Sequence, residues 1–402
     1  MEEVPARAAG ILALAARLLA DGVELVVMES ASGCWRIWFC LLEGAGLNVQ
    51  LVNSRQSRQL AGRPETGRLD AWWIARLAEM GLLRPSFVPP PEIRALRDLT
   101  RTRLQLVRDR TREWQRLEKL LEGAAVKLSS AVHSLAGTVT ARVILQALAG
   151  GERDPLALAG LADPRVRGGR AAIAGALEGM TAGGHHRMLI RVHLDHIAFL
   201  DRSAAAAGDE IQAALDAIPA AQGVSAGGIR CAGPGPDAAV LPAAERLAEI
   251  PGVSLGLARA IIAETGLDMA RFPAAAHLVS WAGLSPVTRQ SGPRSRKPRK
   301  GQGNDYLKGY CTQAATGAAR TGTFPGERVR RLSRRLGPDK AKCAVARSIL
   351  VIAWHLLASP GARFTGLGSS WHERKTSRDR KIRTHVRQPE APGLSVTITP
   401  AA

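Results

Sequence analysis

The stretch from Ile93 to Glu122 constrains the fold of this chain most, because it has the composition of one long helix. It is dense in arginine, leucine, glutamate and glutamine. Arg103 and Arg110 interrupt a heptad-compatible spacing that relates Leu96, Leu99, Leu106, Leu117 and Leu120. The pattern predicts a coiled-coil hairpin or dimer, and a second helical stretch at about 185–216 could pack back against the first.

The residues before the long helix alternate between helical and strand patterns. The expected order is a helix, a buried strand, a helix, a second strand and a third helix, at Ala8–Ala20, Val23–Met28, Cys34–Glu43, Asn48–Val52 and Thr66–Met80. Strands joined by crossover helices predict an α/β layer with parallel pairing. Glu29 follows the first strand, at the strand end where active groups gather in such sheets.

The net charge of the chain indicates a polyanionic partner. Its 402 residues carry 55 Lys and Arg against 35 Asp and Glu, which leaves a charge of +20. Nucleic acid is the first candidate and an anionic membrane surface the second. We expect no membrane span, because no apolar run approaches about 18–20 residues. The residues Met1–Arg7 do not resemble a secretory signal, and five cysteines without a C-x-x-C pair favour the cytoplasm.

The densest basic stretch, residues 287–300, combines six cations with a serine. Gly292, Pro293 and Pro298 exclude a helix and predict an extended loop that can follow a phosphate backbone. Ser291 lies among guanidinium groups, and its hydroxyl could attack phosphorus while fixed cations stabilise the developing charge. The predicted nucleic-acid-binding residues of this stretch are Arg289, Arg294, Arg296, Lys297, Arg299 and Lys300.

Three further groups could carry chemistry. Glu29 and Asp70 are candidate Mg²⁺ ligands, although two carboxylates are too few for a two-metal site. His193 and His196 share a helix face, but without a cysteine or a cluster of acids beside them a packing role is favoured over zinc. The Ile250–Val253 turn resembles a helix-hairpin-helix, in which backbone amides such as those of Gly252 and Val253 can hold a DNA phosphate.

Seven separated motifs resemble one known family. They are V-V-M-E-S with A-S-G-C-W, L-V-N-S-R, G-R-P-E-T-G-R-L-D-A-W-W-I-A, G-L-L-R-P-S-F-V-P-P-P-E-I-R-A-L-R-D-L-T, I-P-G-V, S-W-A-G-L-S-P with R-Q-S-G, and A-R-S-I-L-V-I-A-W-H-L-L. In this order they look like the insertion-sequence transposases of the 110/1111 group, from about Leu12 to Leu357.

The resemblance implies a specific organisation and activity. It implies a RuvC-like (RNase H-fold) domain with a D-E-D-D tetrad for Mg²⁺, a coiled-coil segment for assembly and a C-terminal domain with a catalytic serine. Such recombinases act on DNA, guided in characterised members by an RNA from the element. Glu29 matches the tetrad glutamate, Asp70 matches its last aspartate, and Ser291 matches the nucleophile.

Two departures from the family pattern concern the metal site. The third tetrad position falls on Gly67, and the strand that bears the first aspartate would precede the first residue of this chain. Glu65 could substitute for the missing acid, but it would point away from the helix face that bears Asp70. We therefore expect a weak or impaired Mg²⁺ site, in a truncated or decayed copy or in a gene whose start lies upstream of Met1.

The predicted fold class is α+β: a RuvC-like α/β domain, a helical coiled-coil middle and an all-helical C-terminal domain with a helix-hairpin-helix-like motif. The regions are 1–90, 91–218, a linker at 219–237, 238–360, and a basic tail at 361–402. The predicted function is an RNA-guided, serine-dependent DNA recombinase that forms a dimer or tetramer and binds no membrane. An inactive nucleic-acid-binding remnant and a structural coiled-coil scaffold are the alternatives.

Overall fold

The structure is a computed structural model that describes residues 3–30, 33–53, 67–166, 168–223, 240–291, 294–300 and 303–375, with 382, 383, 386 and 395. The chain divides into two compact units, residues 1–90 and 91–402. The five-region division expected from the sequence stays a prediction.

The first unit is a small α/β layer. Its elements are α1 (Ala8–Ala20), β1 (Val26–Glu29), α2 (Trp35–Gly44), β2 (Val49–Val52) and α3 (Gly67–Glu79). The two strands pair in parallel from Val26 opposite Val49 to Glu29 opposite Val52. Ile11 and Ala15 of α1 pack with Leu42 and Leu47 in a core that the sheet helps to cover. The predicted parallel pairing is confirmed, although β1 begins three residues later than expected.

The second unit begins with a hairpin of two 33-residue helices, α4 (Pro91–Gly123) and α9 (Gly184–Asp216). The helices are antiparallel, because Arg110 of α4 contacts Asp201 of α9 and Glu113 contacts His193, which is earlier in α9. Of the two alternatives for the leucine stripe, a hairpin or a dimer, the structure shows the hairpin within one chain. Its packing against the same chain explains why Leu96 and Leu117 are fully buried.

Short helices join the two long ones and close the distal end of the hairpin. They are α5 (Leu128–Ala131), α6 (Val139–Gly150), α7 (Pro155–Gly160) and α8 (Gly169–Leu177). Trp114 and Leu117 of the hairpin pack with Ile144, Leu148 and Ile173 in one buried cluster. The alanine- and glycine-rich stretch between the two long helices is thus a set of short helices and loops.

The C-terminal part contains seven helices and one two-stranded ribbon among the described residues. In chain order these are α10 (Ala243–Ala248), α11 (Leu255–Thr265), α12 (Ala275–Trp281), β3 (Pro286–Ser291), β4 (Arg294–Lys300), α13 (Asp305–Ala318), α14 (Phe324–Leu336), α15 (Pro338–Ala358) and α16 (Trp371–Lys375). Single 3₁₀ turns lie at Pro219–Gln222 and Met269–Arg271. The predicted linker is thus structured at its start, and its residues 224–237 lie outside the described part.

The central helix of this part is α15, which packs against α12, α13 and α14. Val345, Ile349 and Ala353 are buried along it. Within the described ranges, α15 alone has the length and apolar composition of a membrane span, with 44% of its apolar window buried. One such helix is weak evidence for a membrane span, so the expectation of no span stays a prediction. A helix that is apolar all round also suits the centre of a helical core.

Candidate functional site

The basic stretch around Ser291 forms an antiparallel ribbon, so the predicted extended loop is wrong. Strands β3 and β4 pair from Pro286 opposite Lys300 to Ser291 opposite Arg294, with an irregularity between Val287 and Arg289. Gly292 and Pro293 separate the strands and lie outside the described residues. The prolines exclude a helix but not a strand pair, because proline is tolerated at strand ends and sheet edges. Ser291 is therefore the last paired residue of β3, beside the connection to β4.

The two ends of the ribbon are held together at its base. Gly303 lies so close to Gly283 that a Cβ atom at position 303 would be 2.3 Å from the Gly283 nitrogen. The backbone amide of Asn304 donates a hydrogen bond to the Trp281 carbonyl oxygen at 3.3 Å. The chain entering β3 and the chain leaving β4 therefore meet at a contact that only glycine permits.

Asn304 connects the ribbon base to a buried carboxylate. Its Oδ1 caps α13 by accepting from the backbone amides of Tyr306 and Leu307 at 3.0 and 3.1 Å. Its Nδ2 donates to Glu264 Oε2 at 2.6 Å. Glu264 lies at the C-terminal end of α11 and is 0% exposed. The first turn of α13 is thus fixed to the end of α11.

Two arginines of α4 complete the surroundings of Glu264. Arg101 donates from Nε and Nη2 to the two carboxylate oxygens, both at 2.8 Å. Arg97 donates to the carbonyl oxygens of Ala263 and Glu264 at 3.1 and 2.7 Å, which satisfies free carbonyls at the end of α11. A bidentate guanidinium with further donors is the arrangement that makes a buried carboxylate tolerable. We call Arg97, Arg101, Glu264 and Asn304 the Glu264 cluster.

Two tyrosines of α13 border the Glu264 cluster. The Arg101 guanidinium lies 4.2 Å from the centre of the Tyr306 ring, a cation–π contact. Burial lowers the pKa of Arg101, but the hydrogen bond and the charge of Glu264 together raise it by more. The net pKa is raised, so the guanidinium stays protonated. Burial, with the nearby charge of Glu264, raises the pKa of Tyr310 to about 12. Arg101 therefore keeps its charge at neutral pH.

Glu29 and Asp70, the predicted metal ligands, lie on neighbouring elements of the first unit. Glu29 ends β1, Asp70 lies in the first turn of α3, and α3 packs against β1. No group of three or more His, Cys, Asp or Glu side chains that could hold a metal occurs in the described part of the chain. Mg²⁺ needs near-octahedral oxygen ligation. Two carboxylates therefore do not fit the four-acid site that the resemblance implies.

The turn at Gly252 packs inside the protein. Gly252 has φ +89°, and a Cβ atom there would be 2.2 Å from the Ala314 carbonyl oxygen of α13. The Val253 amide donates to the Ile250 carbonyl oxygen at 2.9 Å. Phosphate binding by Gly252 and Val253 stays a prediction, and this geometry argues against it for the Val253 amide.

The histidines of α9 bind a carboxylate. His193 Nδ1 lies 2.6 Å and His196 Nδ1 3.3 Å from Glu113 Oε1, and Arg116 donates to the other oxygen of Glu113 at 2.9 Å. Burial raises the pKa of Glu113, but these hydrogen bonds together hold it below its usual value. The packing role favoured by the sequence is thus supplemented by hydrogen bonding across the hairpin.

Two functional groupings were missed by the sequence analysis. The Glu264 cluster joins residues 97, 101, 264 and 304, and no local pattern connects positions so far apart. The arginines of α14 did carry a signal, since F-P-G-E-R-V-R-R-L-S-R-R-L places five arginines and one glutamate around two buried apolar residues. Helical spacing applied to that segment would have found a basic helix face.

Two family models match the chain in the order that these units follow. The model of the DEDD transposase domain of the IS110 group, described as a transposase, matches residues 1–125. The model described as the transposase IS116/IS110/IS902 family matches residues 244–328, which contain Ser291 and Asn304. The chain belongs to the IS110 family of transposases. No match was found among curated proteins.

Family membership gives the transposase its general activity. It is a DNA-acting protein of transposition, and its mostly helical fold with a parallel strand pair in the first unit is compatible with the predicted α+β class. The ribbon and the Gly303–Asn304 base lie within the second matched region, and Glu29 and Asp70 lie within the first.

Proposed function

We propose that this transposase cleaves and rejoins DNA strands through a covalent phosphoserine at Ser291. The observation that carries the proposal is the register of the ribbon. Ser291 pairs with Arg294, and Arg289 pairs with Arg296. Directly opposed residues, and residues two apart on a strand, share one face of an antiparallel pair. Positions 289, 291, 294 and 296 therefore share a face of the ribbon, and three of these four positions are arginine in the sequence.

The reaction requires no external oxidant or energy source. The Ser291 oxygen forms a bond to phosphorus and loses its proton to solvent, while the bond from phosphorus to one sugar oxygen breaks. That sugar oxygen takes up a proton and becomes a hydroxyl group. In the second step a sugar hydroxyl of the other strand attacks the phosphoserine, and Ser291 is released. Fixed cations near the phosphate stabilise the charge of each transition state.

The same ribbon suits a nucleic-acid backbone. Six cations and no acid occur between residues 287 and 300. We propose that it contacts duplex DNA and a guide RNA from the element, in the cytoplasm. Binding should weaken steeply between about 50 and 200 mM salt, and a salt-independent protein would instead fit a structural scaffold. Neutralising Arg294, Arg296 and Lys297 together should flatten this salt dependence.

The Mg²⁺ site that we propose has two carboxylates. Glu29 and Asp70 are the carboxylates that could hold Mg²⁺, which would supply Lewis-acid stabilisation of the phosphate in this family. Their number predicts low affinity, because hard-cation binding depends on ligand charge.

We also propose that the transposase assembles as a dimer or tetramer through the long hairpin. Met188, Val192 and Phe199 of α9 are exposed and follow one another at intervals of four and seven residues, which places them on one helix face. Phe199→Asp should shift sedimentation towards monomer. Ala206→Asp is the comparison: it adds the same charge to an exposed residue two turns along the same face, but it replaces a small side chain and not a large apolar one. A wild-type monomer at micromolar concentration would contradict this assembly.

The nucleophile is tested by recombination between plasmids that carry the ends of the element, with its RNA supplied. Each substitution is made in the Gly67→Asp chain, because we expect little recombination by the unmodified one, and Ser291→Ala should abolish the product. Ser295→Ala is the matched control, because Ser295 lies in the same ribbon opposite Gln290, outside the face of position 291. Equal activity of the two variants would contradict the role of Ser291.

An inactive nucleic-acid-binding remnant is the second candidate, and Gly67 favours it. Gly67 begins α3 one turn before Asp70, where the family places an acid. We expect absent or severely impaired recombination by the unmodified chain, because misplaced or missing groups at a site cost on the order of 100-fold in rate. Gly67→Asp should raise the product. Robust recombination by the unmodified chain would exclude the remnant.

A further inference from the structure

The helix α14 presents a strongly basic surface that lies outside the ribbon. Val329 and Leu332 are buried, whereas the exposed arginines of the helix are Arg330, Arg331, Arg334 and Arg335. Arg330 donates to the carbonyl oxygens of Ala319 and Thr321 at 3.2 and 3.0 Å, so its hydrogen bonds are directed at the end of α13. Arg334 and Arg335 are exposed, and Arg331 contacts Glu327 and His372.

Arg328 occupies an unfavourable environment on this helix. It is half-buried, and its Nε is a buried donor without a hydrogen-bond partner among the described residues. Burial lowers its pKa, and the positive charges of Arg331 and Arg347 lower it further. Arg347 belongs to α15, so two helices direct like charges at one half-buried guanidinium. Without a bound anion this arrangement lowers the stability of the protein, because the buried N–H group has no acceptor and the like charges repel one another.

In the described part of the chain, little negative charge lies near these arginines to offset the repulsion among them. Glu327 Oε2 lies 3.9 Å from Arg331 Nε, which is at the limit of an ion pair. Arg331 also donates from Nη2 to His372 Nε2 at 3.1 Å, which requires that this ring nitrogen is not protonated. Three guanidinium groups against one partly engaged carboxylate leave an excess of positive charge.

Aromatic rings lie beside the arginines and anchor the start of the C-terminal basic run. Phe324 stacks on His372 with ring centres 5.2 Å apart and meets the edge of Trp371 at 5.4 Å. These contacts fix α16 on the first turn of α14. His372, the first residue of the basic run at 372–387 in the sequence, therefore lies beside Arg331.

We propose that Arg328, Arg331 and Arg347 form a binding site for the phosphodiester backbone of a nucleic acid, at the root of the C-terminal basic run. A phosphate group would accept from the unpaired Arg328 donor and would neutralise the repulsion among the three guanidinium groups. The adjacent aromatic rings suit contact with sugars and bases. We call these three residues the arginine site. The inference does not depend on Ser291 as the nucleophile.

The test compares two variants of equal charge. The first variant removes the arginine site by three substitutions, Arg328→Gln, Arg331→Gln and Arg347→Gln. The control removes three exposed cations elsewhere in the same unit, by Lys119→Gln, Arg153→Gln and Arg202→Gln. Fluorescence anisotropy measures binding of the full chain to a DNA duplex of about 30 base pairs and to an RNA stem-loop of similar length, at salt concentrations from about 50 to 200 mM.

The first variant should lose at least about 10-fold in affinity, and its salt slope on duplex DNA should fall by up to about 3. The control should lose no more than about 2-fold, as expected for long-range attraction alone. A loss on duplex alone assigns the site to DNA, a loss on the stem-loop alone assigns it to RNA, and a loss on both assigns it to the shared backbone. Equal losses in the two variants would overturn the proposal.

Thermal unfolding separates binding from folding. Arg328→Gln should keep or raise Tm, because it removes a half-buried charge from two like charges, while nucleic-acid affinity falls. If Tm falls instead, the double variant of the exposed Arg331 and Arg347 decides the question. Unchanged affinity in that double variant would overturn the proposal.

Discussion

Arg101 and Glu264 form a bidentate ion pair in which each carboxylate oxygen accepts one guanidinium N–H at 2.8 Å. The pair joins the first long helix of the hairpin to the end of α11, although 163 positions separate the two residues. Asn304 extends this contact to the base of the ribbon through Glu264. The long hairpin and the ribbon that bears Ser291 are therefore fixed to one buried carboxylate.

Arg101→Ala should lower the free energy of unfolding on the order of 3 kcal/mol, since it leaves Glu264 buried without its bidentate partner. Arg97 and Asn304 remain in contact with Glu264, which places the expected loss at the low end for a broken buried pair. Arg112→Ala is the control on the same helix, because Arg112 is exposed and pairs with Asp109 one turn away. Urea unfolding measures both. Equal and small losses would show that the pair does not hold the hairpin to α11.

Gly252→Ala should destabilise the transposase strongly. The residue has φ +89°, and the added methyl group would overlap the backbone of α13 at Ala314 and Ala318, which cannot move without displacing the helix. Gly256→Ala is the matched control, because Gly256 is the second residue of α11 and a Cβ atom there meets nothing within 4 Å. The control should keep or raise the midpoint of urea unfolding. A tolerated Gly252→Ala would contradict the close packing of this turn.

The fold was predictable where local patterns decide it, and the site was not. The lengths of α1, α4 and α9 follow from apolar spacing and breaker residues, and the parallel pairing of β1 with β2 follows from the helix between them. Six cations with three breakers between 287 and 300 indicated an extended segment, but pairing of its two halves depends on the contact of Gly283 with Gly303. That contact, like the Glu264 cluster, exists only after distant helices have packed.

The leucine stripe of α4 illustrates a different limit. Heptad spacing shows that a helix face will be buried, but not whether the partner belongs to the same chain. Here Asp201 of α9 accepts hydrogen bonds from Arg110 and Arg142 at 2.8 and 3.0 Å, which fixes the hairpin within one chain. Apolar composition is ambiguous for a similar reason, because a core helix such as α15 has the composition of a membrane span.

Acid should weaken the hairpin through Glu113. Its pKa is held below the ordinary value of 4.5 by hydrogen bonds from His193, Arg116 and His196, against the opposite effect of burial. A carboxyl group with a lowered pKa contributes stability that is present above pH 4.5 and is lost as the pH falls through its value in the folded state. Glu113→Gln should therefore reduce the decline of unfolding free energy below that pH. An unchanged acid profile would show that Glu113 does not contribute.

The most direct test of the account is to trap the covalent intermediate and identify the residue that carries it. A nicked DNA substrate that loses a short strand on cleavage prevents rejoining, so a protein–DNA adduct accumulates and its peptide can be identified by mass spectrometry. We expect the adduct on Ser291, in low yield for the unmodified chain and higher yield for Gly67→Asp. It should be absent from Ser291→Ala and retained in Ser295→Ala. An adduct on another residue, or one that persists in Ser291→Ala, would contradict the account.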